Sequence, residues 1–159
     1  MKKRILSAGA LVVVVVTLGI VGFQQYQDWS MKNAVHERYF QYWHAYESVF
    51  SNSSTDPNIL ENYARGNYLR KVISGAKESR KNNNLSLGNI GHSDVHITAL
   101  GDYATVQDCI NFKDWRLTDL AGKPVEGQLI HSQAQLYEVP LNRIDGQWYV
   151  MQPNEIGTC

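Results

Sequence analysis

Asp94-Val95-His96-Ile97-Thr98-Ala99-Leu100-Gly101-Asp102-Tyr103-Ala104-Thr105-Val106-Gln107-Asp108-Cys109-Ile110 is the stretch on which the fold turns. Before it, apolar residues recur at helical spacing; within it they alternate, and β-branched and aromatic residues become frequent. Val95, Ile97 and Ala99 share one face of a strand expected over residues 94–100. Gly101-Asp102 turns the chain into a second strand, running from Tyr103 to about Trp115, in which Ala104, Val106, Ile110 and Phe112 share a face. Asp108 falls in phase with this apolar set, where an ionisable group is costly unless it is paired. A bulge that reverses the register, or a structural hydrogen bond, is the plainer account of it.

Downstream, Asp119, Gly122 and Pro124 supply a hairpin turn, and a third strand over residues 129–139 places Ile130, Ala134 and Leu136 inward. Ser132 interrupts that inward face, and pairing around the hairpin would bring it near Asp108. Pro140 is expected to end the strand. Asp145-Gly146 then turns the chain so that Trp148 and Val150 reach the core. Upstream lie three expected helices. Over residues 33–50, Val35, Tyr39, Tyr42, Tyr46 and Val49 form an apolar stripe opposite Glu37, Arg38, Gln41, Glu47 and Ser48. Asp56-Pro57 starts a second helix that stops at Gly66, and a third carries Leu69, Val72, Ile73 and Ala76 on one face until Asn82, Asn83 and Asn84.

At the N-terminus, residues 5–23 form nineteen consecutive positions without charge, directly after Lys2, Lys3 and Arg4. At about 1.5 Å per residue such a helix is about 28 Å long, close to the thickness of a bilayer's hydrocarbon core. The exit, Gly22-Phe23-Gln24-Gln25-Tyr26, lacks the small-residue pattern of a cleavage site, and Tyr26 and Trp29 stand where interfacial aromatics anchor a span. The run reads as an uncleaved signal-anchor, the alternative being a cleaved signal that leaves a secreted protein. Either way the positive-inside rule places the rest outside the cell membrane. The expected organisation is a cytoplasmic tip (1–4), a transmembrane signal-anchor (5–23), a juxtamembrane linker (24–32) and one extracytoplasmic domain (33–159).

Beyond the anchor, twelve basic residues face fifteen acidic ones, a net charge of −3, which argues against nucleic-acid binding. Cys109 and Cys159, an even pair in an exported chain, favour one disulfide. Cys109 alternates with the core set, so its thiol should point away from the helices and tie down the C-terminal tail. No metal site is expected: the cysteines lack near partners, and His92, Asp94 and His96 make only a sparse ligand set in a loop and strand. His36, His44 and His92 read as solvated; His96 and His131 fall on the outer face. The basic residues from Arg65 to Lys81 wrap around a helix instead of forming a stripe, and read as a solvated face.

Helices followed by a meander define an α+β chain, here an N-terminal transmembrane helix and then three helices packed on a curved antiparallel sheet of about four strands. The helix trio, the strand Tyr103-Ala104-Thr105-Val106-Gln107-Asp108-Cys109 and the closing Asp145-Gly146-Gln147-Trp148-Tyr149-Val150 resemble the nuclear transport factor 2-like, or cystatin-like, cone fold, in particular its small membrane-anchored exported actinobacterial members. The resemblance covers most of residues 33–159 and implies a fold, not an activity. It implies a cone pocket in which Asp108, Ser132 and Trp148 would meet a ligand, and sheet-to-sheet homodimers are common among such proteins. Enzymes of the superfamily use an acid or an acid-histidine pair inside the cone. Here Asp108 is the one candidate base and no paired histidine is visible. The function expected is a non-catalytic, membrane-anchored envelope module, binding an envelope protein or a small apolar ligand and using no cofactor, or serving as a subunit of a secretion or transfer assembly. The alternative is a small anchored isomerase or cyclase.

Overall fold

A computed structural model describes residues 6–128 and 133–159, with side chains from residue 25 onward. One helix dominates it. Helix α1 runs unbroken over Leu6–Ser51, so residues 24–32, expected as a linker, continue the helix into the domain. Among the described residues no helix is long and apolar enough to cross a membrane; the side chains of the apolar run at 5–23, read as the anchor, lie outside the described residues. In the domain part of α1 the expected stripe is the core: Val35, Tyr39, Tyr42 and Val49 are fully buried, with Trp43 beside them.

The end of α1 is held from another element. Arg80 donates from its guanidinium to the carbonyls of Val49 (2.8 Å), Asn52 (3.2 Å) and Thr55 (2.5 Å), giving the last turn a cation where the helix dipole is negative. This member of the basic cluster is therefore structural. So is Arg65, whose guanidinium stacks on the Tyr149 ring at 3.8 Å. The segment that follows departs from expectation in kind and in phase. Asp56 caps Asn58 N–H (2.9 Å) as its sequence suggests, but the turn it starts is a short 3-10 helix, Pro57–Asn62. Gly66, read as a stop, opens α2, Gly66–Lys81, where its φ of +81° is easily adopted by glycine. Leu69 and Ala76 bury the inner face of α2.

Among the described residues seven strands form two sheets, more than the four or so expected. The main antiparallel sheet contains β2 (Gly91–Leu100), β3 (Tyr103–Asn111), β5 (Gln135–Ile144) and β6 (Gln147–Val150) in that order, with β7 (Asn154–Thr158) also paired to β5. A separate pair joins β1 (Asn84–Leu87) to β4 (Arg116–Asp119). β3 does not continue to Trp115. Asn111 accepts from Lys113 N–H (2.8 Å) and Trp115 N–H bonds back to Phe112 (3.1 Å), a turn that sends the chain to the second sheet. Gly88 passes against that turn so closely that an added Cβ would lie 1.8 Å from the Asp114 carbonyl oxygen.

Pro140 does not end a strand either. It sits inside β5, opposite Thr105, and its carbonyl accepts from Met151 N–H at 2.9 Å. Its nitrogen therefore faces the same side, between the stretch of β5 paired to β6 (141–144) and the stretch paired to β7 (135–138), where no ladder donor is needed. The tail beyond it is strand β7, fastened by the Cys109–Cys159 disulfide with Cα atoms 6.1 Å apart. The core lies between α1 and one face of the main sheet, where Ala104, Val106, Ile110, Val139, Leu141, Trp148 and Val150 meet the helix stripe.

Candidate functional site

Asp108 stands at the centre of that interface and is fully buried. β3 sends it inward with Val106 and Ile110 by simple alternation. Opposite it, β2 breaks step: Ser93 faces Cys109 and His96 faces Gln107, so Asp94 and Val95 together oppose the single residue Asp108. This is a β-bulge, with Asp94 in the left-handed region at φ +53°. Its effect is to change which face His92 occupies. Ile97 and Ala99 point inward, and unbroken alternation would turn His92 outward; the extra residue turns it inward instead.

Three donors converge on the Asp108 carboxyl. Tyr39 Oη–H from α1 donates to Oδ2 at 2.7 Å, His92 Nδ1 meets the same oxygen at 2.5 Å, and Ser93 N–H reaches Oδ1 at 3.3 Å. An acid-histidine pair is therefore present, and it joins residues sixteen apart through the bulge. The reading of His92 as a solvated loop residue is corrected: its side chain is 12 % exposed. The rings of Phe40, Trp43 and Tyr39 surround it at centroid separations of 5.2, 5.3 and 6.0 Å. Burial first, and then the neighbouring Asp108 carboxylate and its hydrogen bond, push the Tyr39 hydroxyl far above the ordinary tyrosine pKa. Nearby, Tyr42 and Tyr68 hydroxyls meet at 2.6 Å, and burial lifts Tyr68 to about 12.

An imidazole held through Nδ1 by a carboxyl presents Nε2 as a proton acceptor, the arrangement a general base needs. Access decides whether it can serve. The larger described cleft, about 580 Å³, lies elsewhere, between Tyr26, Gln27, Ser30, Met31 and Ala34 of α1 and the turns at Gly101-Asp102 and Gly146, with Trp148 in its wall. A second, about 250 Å³, adjoins it along Glu37, Arg38 and Gln41 and shares Trp148. Neither is lined by Asp108 or His92. Of the three residues expected to share one pocket, Trp148 lines both clefts and Asp108 lines neither, while Ser132, like His131, lies outside the described residues. Asp94 and His96 are exposed while His92 turns inward, and no metal-binding cluster exists among the described residues.

Sequence reasoning missed His92, Ser93 and the hydroxyl role of Tyr39. Tyr39 was legible as core, but its partner was not. The signal for His92 was a Ser-Asp pair inside an otherwise alternating strand, since aspartate tolerates the left-handed conformation that a bulge of this type requires.

No family model and no curated protein matches the chain. Its fold does match solved structures. It is similar to the intermembrane space region of the chloroplast protein ARC6, with a TM-score of 0.61 and 12 % identity over 79 % of this chain and 96 % of that one. It is similar also to a single-residue variant of Rv3472, a protein of unknown function from Mycobacterium tuberculosis, with a TM-score of 0.54 and 14 % identity over 81 % of this chain and 77 % of that one. A looser likeness, TM-score 0.41 and 13 % identity over 77 % and 86 %, is to a protein of unknown function with a cystatin-like fold from Nostoc punctiforme. At such identities the likeness is one of fold alone, an α+β domain with a helix packed on an antiparallel sheet.

Proposed function

We propose that the chain is a non-catalytic, membrane-anchored module of the cell envelope, whose extracytoplasmic domain binds an envelope protein or a small apolar ligand beside α1, as a subunit of a larger assembly or alone. The observation that carries this reading is the continuity of α1: the helix that contains residues 6–23 of the uncharged run is the same helix that supplies Val35, Tyr39, Tyr42 and Val49 to the core. A domain built on the extension of a span is tethered through its own core. The binding part of the reading rests on the cleft of about 580 Å³, within the usual size range of ligand sites, with Trp148 in its wall. The reading as non-catalytic rests on Asp108, which is fully buried and whose two oxygens are occupied by Tyr39, His92 and Ser93.

Topology is the first test. Protease added to intact spheroplasts should degrade the domain and leave a fragment containing residues 1–23; a mature N-terminus beyond Phe23 would refute the uncleaved tether, and a fully protected domain would refute export. The second reading, an anchored isomerase or cyclase, is favoured by one observation, the His92–Asp108 pair. It requires substrate to reach His92. Turnover of an enolisable ketone that disappears in His92→Gln would establish it.

A further inference from the structure

We infer that the end of the domain nearest the anchor is a lipid-docking surface, in which the β2–β3 and β5–β6 hairpin tips rest in the interfacial layer of the bilayer that α1 enters. This rests on the anchored reading above and goes beyond it. The large apolar side chains most exposed among the described residues are Leu100 (82 %) and Tyr103 (69 %), on either side of the Gly101-Asp102 turn, followed by Tyr26 and Trp29 on α1. Ile144, also exposed, begins the other turn, Asp145-Gly146. These five belong to one end of the molecule: Gly101, Asp102, Arg143 and Gly146 form a cleft with Tyr26, Gln27, Ser30, Met31 and Ala34.

The level of that end follows from the helix. At about 1.5 Å per residue, Tyr26 lies about 4.5 Å beyond Phe23 and Ala34 about 16 Å beyond it. The headgroup layer on each side of a bilayer is about 5–7 Å deep, and interfacial apolar groups reach about 5–10 Å into the boundary region. Tyr26 stands within the layer, and the hairpin tips that reach α1 between Tyr26 and Ala34 stand at or just above it. With α1 unbroken, the tips can leave the layer only by a change in the tilt of the helix in the bilayer. Tyrosine, tryptophan and leucine are the residues that gain most from such a position, with apolar bodies and, in two of them, a polar edge. Asp102 and Asp145 stand at the same tips as Arg143, so apolar contact and not attraction to anionic lipid holds the surface.

The test uses the full chain in phosphatidylcholine nanodiscs containing a headgroup spin-labelled lipid, read by loss of amide NMR signal. The expected result is loss at Tyr26, Trp29, Leu100 to Tyr103 and Ile144 to Gly146. The β1–β4 sheet should be spared: Glu47, which accepts from Ile90 N–H next to it at 2.8 Å, is about 36 Å along the helix from Phe23. In the double variant Leu100→Ser, Tyr103→Ser, both exposed, loss at the tips should vanish while loss at Tyr26 and Trp29 remains. Loss at Tyr26 and Trp29 but not at the tips of the unmodified chain would overturn docking and leave the anchor standing. Loss at none of these positions would overturn the anchored reading, and docking with it. Equal loss at the tips in the double variant would overturn apolar contact as the cause.

Discussion

At the scale of single residues, the buried carboxyl of Asp108 is the feature with most at stake. It is fully buried, and one of its oxygens serves Tyr39 and His92 while the other serves Ser93 N–H. Asp108→Asn keeps the volume but leaves an amide NH₂ facing at least one of these donors, so a buried donor loses its acceptor at a cost of about 1–3 kcal/mol. Asp108→Ala strands all three and opens a cavity as well, and should cost more. Urea unfolding of the two variants should show that order; an Asp108→Asn effect within about 0.5 kcal/mol, as for a surface position, would contradict the network. Combined with His92→Gln, the two substitutions should be non-additive by more than about 0.5 kcal/mol, since the residues share one hydrogen bond.

At the scale of elements, β7 illustrates how a weak sequence signal becomes structure through a covalent tie. Asn154–Thr158 is exposed along its whole length, yet it pairs with β5 and its neighbour Cys159 is bonded to Cys109, fifty residues earlier. In the chain-entropy model a loop of that size is worth about 4 kcal/mol of stability. Reduction, or Cys159→Ser, should therefore lower the unfolding free energy by an amount of that order and release the 154–158 amides to hydrogen exchange, and non-reducing mass spectrometry should show the linked peptides. Retained protection of those amides after reduction would mean that the ladder alone holds the strand. The same element shows what the sequence could disclose. Alternation placed the Asp108 and Cys109 side chains because it acts residue by residue, and the Val35-Tyr39-Tyr42 stripe was legible for the same reason. The fate of Pro140 and the pairing of β7 were not, because both depend on where two separate strands share the edge of β5. Asp94 is the clearest case: one residue in the left-handed region shifts the register and brings His92 onto Asp108, a contact that strict alternation hides.

At the scale of the whole molecule, the core is unusual in being built from tyrosines that must stay neutral. Burial, ahead of every other cause, raises Tyr39, Tyr42 and Tyr46 well above the ordinary tyrosine value and takes Tyr68 to about 12. In the unfolded chain these groups ionise near pH 10. Below that pH both states hold the protons and stability does not depend on them; above it the unfolded state binds fewer protons than the folded one, and stability falls until the folded-state values are reached. Each such group contributes at most about 1.4 kcal/mol per pH unit, so four together approach about 5 kcal/mol per unit, against a total stability of about 5–15 kcal/mol for a domain. The chain should thus remain folded to about pH 10 and then unfold cooperatively within one to three pH units. When tyrosinate absorbance and far-ultraviolet circular dichroism are followed together on the full chain in nanodiscs, the share of the absorbance that belongs to these four tyrosines should appear only as the helix signal is lost. Tyrosinate rising to completion while the circular dichroism stays native would show that water reaches these hydroxyls, and that the space between α1 and the sheet is an open pocket and not a packed core.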